Sequence, residues 1–168
     1  MKALITGGSS KFGACLVSEL SNTYEVTVIP RDILLQRKFD QYEGEYDLVF
    51  FNHHFMPEAF DQMSYHMNCL VCIDIMNVTK DAKLTGWMVS SGIGAKDHPE
   101  YAPYFAFKSV NIHIMRYFDH FYDGIYFGVD PGHLIEGHWD TPAKQVVALL
   151  DNVESGKIYT LNGSVSGL

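Results

Sequence analysis

The sequence has 168 residues, of which 47% are hydrophobic and 19% charged, a globular rather than a disordered composition. The formal net charge of −8 argues against broad nucleic-acid binding, which needs clustered cations. No run approaches the roughly 18 to 20 apolar residues of a membrane span, and no cleavage site follows the first apolar run. We therefore expect one domain, residues 1–168, in a cytoplasmic protein that binds neither nucleic acid nor membrane.

Short apolar runs alternate along the chain with longer runs of helical spacing. The predicted strands are Lys2–Thr6, Glu25–Ile29, 47–51, 86–89, 125–129 and 157–161, and the predicted helices are 12–20, 60–78, 104–121 and 141–153. This alternation is typical of an α/β protein, and it predicts a three-layer doubly wound (Rossmann) fold with a mostly parallel sheet. The fifteen residues 32–46 leave room for only one helix or a short irregular strand.

The first predicted strand runs into a glycine-rich turn, TGGSSKFG, at residues 6–13. Ligands of such folds bind beyond the carboxyl ends of the strands, and glycine lets the backbone approach them closely. The start of the next helix suits a phosphate, Ser9 and Ser10 offer hydroxyl donors, and Lys11 adds a positive charge. The turn therefore predicts a pyrophosphate cradle, with an ordinary glycine-rich strand-to-helix turn as the alternative.

A second pattern, YFAFK, places Tyr104 and Lys108 four residues apart, on one face of a predicted helix. A phenol with a pKa near 10 is a poor acid–base catalyst at neutral pH, and a neighbouring ammonium group lowers that pKa. The pair therefore predicts that Tyr104 acts as an acid–base catalyst whose pKa Lys108 lowers. The alternative is a surface pair of no chemical importance.

The ordered set of motifs resembles the short-chain dehydrogenase/reductase family. TGGSSKFG is similar to the family's TGxxxGxG fingerprint, with Lys11 at the place of the middle glycine. Ser91 in WMVSSG lies thirteen residues before Tyr104, Asn68 lies in HMNCLVC, and VDPGHLIEG is similar to the family's Pro-Gly segment. DLVFFNHH is similar to the family's turn after its own fourth strand, with His53 and His54 in place of the small residues found there. The chain is thus identified as a shortened member.

The resemblance implies a catalytic tetrad of Asn68, Ser91, Tyr104 and Lys108. Tyr104 would give or take the substrate hydroxyl proton, and Ser91 would hold the carbonyl oxygen. Lys108 would bind the nicotinamide ribose and lower the pKa of Tyr104, and Asn68 would hold a water in the proton relay.

The resemblance also implies the cofactor contacts. They are Gly7, Ser9, Ser10, Lys11, Phe12, Gly13, Arg31, Asn52, Tyr104, Lys108, Pro131, Gly132, His133 and Leu134. Arg31 falls at the end of the second strand, where a basic residue favours a 2′-phosphate. The expected cofactor is NADP(H), with NAD as the alternative.

The resulting prediction is an NAD(P)-dependent oxidoreductase that transfers hydride between NADP(H) and a small carbonyl or alcohol. The alternative is a catalytically silent dinucleotide-binding protein with a sensor or regulatory role. The short segment after Gly132 predicts an open active site with little to exclude water. The family's paired helices imply a homodimer or homotetramer. We expect no metal site, and the CxxC of Cys69 and Cys72 is predicted to be two core thiols, with a redox pair as the alternative.

Overall fold

A seven-stranded sheet forms the centre of the molecule. The computed structural model describes residues 1–55, 61–79, 82–90, 99–131, 137–161 and 165–167. The strands are β1 (Lys2–Thr6), β2 (Glu25–Ile29), β3 (Leu48–Phe51), β4 (Leu84–Met88), β5 (Ile125–Asp130), β6 (Lys157–Thr160) and β7 (Val165–Gly167). Their order is β2-β1-β3-β4-β5-β6-β7, and every neighbouring pair is parallel except β6 and β7.

Helices connect the strands on both faces. They are α1 (Lys11–Leu20), α2 (Arg31–Gln36), α3 (Gln62–Tyr65), α4 (Val71–Val78), α5 (Ala102–Phe121) and α6 (Asp140–Leu149). A π-helix, His66–Leu70, joins α3 to α4, and single 3₁₀ turns lie at Asp40–Tyr42, Pro99–Tyr101 and Leu150–Asn152. Within the described ranges, no helix combines the length and the apolar character needed to cross a bilayer.

The core consists of two apolar layers, one on each face of the sheet. Side chains alternate along β3, so Val49 and Phe51 pack with α4 and α5, whereas Leu48 and Phe50 pack with α1 and α6. All four are at most 2% exposed. Burial of side chains of this size contributes about 1.5 to 3 kcal/mol each, which explains why this strand is a continuous apolar run.

The predicted doubly wound architecture is confirmed, and the predicted strands and helices agree with the structure to within about two residues at most boundaries. Between β2 and β3 the chain forms α2 and one 3₁₀ turn, as the short spacing required. Strand β7 and the π-helix were not predicted. The predicted start of the third helix, Phe60, lies outside the described residues.

The register of the strands decides where a site can form. Thr6, Ile29 and Phe51 are paired across β1, β2 and β3, so the three strands end at one level. The glycine turn and the segments after β2 and β3 therefore meet at the carboxyl edge of the sheet, where ligands of doubly wound folds bind.

Candidate active site

The glycine turn leaves no room for side chains at two positions. Gly7 has φ +69°, and a Cβ atom there would lie 2.7 Å from the backbone of His53. A Cβ atom on Gly13 would lie 2.0 Å from the Gly7 carbonyl oxygen. Ser10 caps α1: its hydroxyl donates to the Gly7 carbonyl and accepts from the Gly13 N–H, both at 3.0 Å. Ser10 thus closes the turn, and the predicted role of its hydroxyl as a phosphate donor competes with this cap.

The buried hydroxyl of Thr6 ties β1 to the segment after β3. Its oxygen accepts from the backbone N–H groups of Asn52 (3.1 Å) and His53 (3.2 Å), and it lies 2.7 Å from His53 Nδ1. Because two N–H groups occupy its lone pairs, the hydroxyl donates its own proton to Nδ1. This requires a neutral imidazole, and burial together with the Lys108 charge lowers the pKa of His53 to about 3.

Asn68 holds the same segment from the opposite side. Its Oδ1 accepts from the Phe55 N–H at 2.8 Å, and its Nδ2 donates to the carbonyl oxygens of Phe55 and Ser64, both at 2.9 Å. Asn68 lies within the π-helix, an irregularity often found at functional sites. The side chain therefore positions the backbone after β3. Its expected part in a water relay stays a prediction.

Lys108 is buried on α5 and points at the backbone. Its Nζ donates to the carbonyl oxygen of His53 at 3.3 Å, and burial lowers its pKa to about 8. The thiols of Cys69 and Cys72 lie near it, and burial raises the pKa of each to about 12. The two cysteines are core thiols, as predicted, because a thiol with this pKa is unreactive at neutral pH.

Tyr104 differs from its predicted state. We expected Lys108 to lower the pKa of Tyr104, but burial raises it and the carboxylate of Asp130 raises it further. The ring lies edge-on to the imidazole of His54, with centroids 4.2 Å apart. Tyr104 is therefore a protonated phenol at neutral pH, and it is a weaker acid than a free tyrosine.

A cleft of about 360 Å³ opens at the carboxyl ends of β1, β2 and β3. The described residues that line it are Gly7, Ser9, Ser10, Ile29, Arg31, Leu34, Asn52, His53, His54 and Phe55. The exposed Arg31 guanidinium lies 5.0 Å from the centre of the Phe55 ring, a cation–π contact that holds it at the cleft. Arg37 instead pairs with Asp74 at 2.6 Å. A glycine cradle, a helix start and one cation fit the adenosine and phosphate part of a dinucleotide.

The structure brings three of the four predicted catalytic residues onto one short segment, residues 53–55. Asn68 bonds to the backbone of Phe55, Lys108 to that of His53, and Tyr104 contacts the His54 ring. None of these three is among the described residues that line the cleft.

The remaining predicted contacts fall into three groups. Five line the cleft: Gly7, Ser9, Ser10, Arg31 and Asn52. Lys11, Phe12 and Gly13 form the first turn of α1 next to the cleft, and Pro131 follows β5, which is two strands away from β3 in the sheet. Ser91, Gly132, His133 and Leu134 lie outside the described residues.

Sequence reasoning missed the parts played by Thr6 and Phe55 and gave His53 and His54 only as departures from the family pattern. A signal was present for the histidines. Two adjacent imidazoles one residue beyond a fully apolar strand lie where buried polar groups need partners. Thr6 carried no such signal, because its two N–H partners lie 46 and 47 residues away in the chain.

The buried Lys108 predicts a distinctive pH dependence of stability. Its pKa of about 8 lies below the 10.5 of a free lysine, so between these values the unfolded chain binds more protons and stability rises with pH. Relative to Lys108→Met, the free energy of unfolding of the wild type should rise by up to about 1.4 kcal/mol per pH unit between about pH 8 and pH 10. Urea denaturation at each pH measures it. Lys144→Met removes an exposed lysine and should run parallel to the wild type. If the stability of the wild type and of Lys108→Met changed with pH in parallel, the lowered pKa of Lys108 would be wrong.

No protein-family model and no curated protein matches the sequence. Solved structures do match. A carbonyl reductase from Pseudomonas aeruginosa has a TM-score of 0.76 at 14% identity over 100% of both chains. The complex of a carbonyl reductase from the same organism with NADP has a TM-score of 0.74 at 12% identity, again over 100% of both chains. A short-chain dehydrogenase/reductase from Serratia marcescens has a TM-score of 0.69 at 16% identity over 94% of both chains. The chain thus has the fold of the short-chain dehydrogenases/reductases.

Proposed function

We propose that this protein is an NADP(H)-dependent oxidoreductase that reduces a small carbonyl compound to an alcohol. The observation that carries the proposal is the adjacency of two parts. His54 is among the described residues that line a cleft with glycine and Arg31, and the His54 ring lies edge-on to the phenol ring of Tyr104. The match in fold to solved carbonyl reductases supports the reaction class.

The residues divide the chemistry between them. A bound nicotinamide supplies the hydride that forms the new C–H bond. Tyr104 donates its phenolic proton to the carbonyl oxygen, because the phenol is the protonated form at neutral pH, although its raised pKa makes it a weaker acid than a free tyrosine. Lys108, with a pKa of about 8, is largely an ammonium ion at pH 7, and its Nζ holds the His53 carbonyl oxygen beside the site. Asn68 holds the Phe55 backbone in place beside them.

A second candidate is a dinucleotide-binding protein without turnover. Two observations favour it: the Lys108 ammonium donates to a backbone carbonyl, and an imidazole ring lies against Tyr104. Both groups are engaged within the protein. The two candidates differ in whether any carbonyl substrate is turned over.

The cofactor choice is tested by fluorescence titration with NADPH and NADH. Arg31 is the cation among the described residues that line the cleft, so NADPH should bind at least about tenfold more tightly than NADH, a difference of about 1.4 kcal/mol. Arg31→Ala should remove this preference and leave NADH binding unchanged. Lys38→Ala, which removes an exposed cation that is not among the described lining residues, is the matched control and should keep the preference. Equal affinities in the wild type would contradict the predicted preference for NADP(H), and failure of both cofactors to bind would overturn the proposal.

The catalytic role is tested with Tyr104→Phe. In assays of NADPH oxidation with a panel of small aldehydes and ketones, this variant should lose about 10² to 10⁴ of the rate, because general acid catalysis contributes that much. Its NADPH affinity should change less than about twofold, since the ring remains. Tyr117→Phe alters a tyrosine that is 53% exposed on the same helix and should keep full activity. A Tyr104→Phe variant as active as the wild type would exclude the mechanism, and a wild type inert toward the whole panel would favour the silent binder.

A further inference from the structure

Helix α2 brings two residues to the cleft and has little burial of its own. Arg31 and Leu34 are both among the described residues that line the cleft. Leu34 is the buried residue of the helix, Ile33 beside it is half-buried, and the other residues of the helix are exposed. A helix of six residues is unstable in isolation, so its orientation depends on tertiary contacts. One buried anchor near its middle leaves its two ends to be held by other groups.

The carboxyl end of α2 has an unusual backbone conformation at Arg37. This residue follows the helix with φ +55° and ψ +39°, and among the described residues no other non-glycine residue has a positive φ. Glycine is the usual residue at this place, because a Cβ atom is strained in the left-handed region. Such strain persists where the surrounding structure holds the residue in place. We therefore looked for a contact that the Arg37 side chain makes and glycine could not.

That contact is an ion pair with Asp74 on α4. Both Nη2 and Nε of Arg37 donate to Asp74 Oδ2, at 2.6 Å and 3.0 Å. The two side chains are 47% and 27% exposed, and an ion pair this exposed contributes little to the stability of a whole fold. Its base is firm, since α4 is anchored in the core by Val71, Cys72, Ile75 and Met76. The pair therefore acts locally, on the angle at which α2 lies.

The amino end of α2 is held through the same part of the chain. The Arg31 guanidinium lies 5.0 Å from the centre of the Phe55 ring, and Asn68 bonds to the N–H and the carbonyl oxygen of Phe55. Asn68 belongs to the π-helix that runs directly into α4. The π-helix and α4 thus hold both ends of the helix that carries Arg31.

We propose that Arg37 and Asp74 are positioning residues for the Arg31 guanidinium. By fixing the carboxyl end of α2, the ion pair keeps Arg31 at the cleft, where it favours a ligand with a phosphate on the 2′ position of its adenosine. Without the pair, α2 turns about Leu34 and Arg31 moves away from that phosphate. The inference rests on the proposed function, since it assumes that Arg31 gives the cleft its preference for NADPH over NADH.

The test measures NADPH and NADH affinities by fluorescence titration and stability by circular dichroism melting. Arg37→Gly removes the ion pair but relieves the backbone strain, so its melting temperature should fall by less than about 3 °C. Its NADPH affinity should fall at least about fivefold, while its NADH affinity stays within about twofold. Asp74→Ala removes the partner carboxylate without changing the backbone at Arg37 and should cause the same selective loss.

The matched control breaks another exposed ion pair. Lys83 and Asp47 are paired at 2.5 Å, and they directly precede β4 and β3. The pair therefore lies at the amino edge of the sheet, opposite the cleft. Lys83→Ala should leave both cofactor affinities unchanged.

A double variant shows whether the pair acts through Arg31. In the Arg31→Ala background no guanidinium is left to position, so adding Arg37→Gly should change NADPH affinity by less than about twofold. A purely structural role of Arg37 would lower the affinities for NADPH and NADH together, and it would do so in either background.

The outcomes separate this inference from the proposed function. Wild-type NADPH affinity in Arg37→Gly and Asp74→Ala overturns the role of the pair, and so do equal losses for NADPH and NADH. Additive losses from Arg31→Ala and Arg37→Gly also overturn it, because the two residues then act independently. Each of these results leaves the proposed function standing. Failure of the wild type to bind either cofactor overturns the proposed function and this inference with it.

Discussion

The buried hydroxyl of Thr6 is the group on which the rest of the site depends. It lies at the last residue of β1, in register with the end of β3, and it accepts the two N–H groups with which the chain leaves β3. Those bonds orient Asn52 so that its amide reaches the Gly7 carbonyl at 3.1 Å, and they turn the His53 carbonyl toward Lys108. Without them, buried N–H groups would be left unpaired at a cost of about 1 to 3 kcal/mol each.

The segment after β3 therefore connects two parts of the candidate site. The glycine turn after β1 bonds to it through Asn52, and α5 bonds to it through Lys108, so a shift of its backbone would move both contacts. The short connection after β2 completes the cleft. Pro30 ends the strand, α2 begins at once with Arg31 at the rim, and Leu34, one turn later, is buried beneath it. A single six-residue helix thus supplies both the charged rim and the apolar wall.

The fold and the residue types of the site follow from the sequence, whereas their local environments do not. Alternating apolar runs predict the parallel sheet because strands covered on both faces must be apolar throughout. The spacing of Tyr104 and Lys108 places both on α5, but spacing says nothing about burial or about Asp130, which together raise the pKa of Tyr104. The motif around Asn68 was recognisable, yet its bonds to Phe55 depend on a π-turn that no periodicity marks. Strand β7 has three residues, too few for a pattern.

Amide hydrogen exchange of the unliganded protein, followed by NMR, tests the central claim most directly. If the segment after β3 is fixed by Thr6 and Asn68, the amides of Asn52, His53 and Phe55 should be protected to the level of the amides of β3. Thr6→Val should speed exchange of the Asn52 and His53 amides by at least about tenfold, whereas Thr27→Val, an exposed position on β2, should not. Rapid exchange of these amides in the wild type, as in an unstructured loop, would contradict the account.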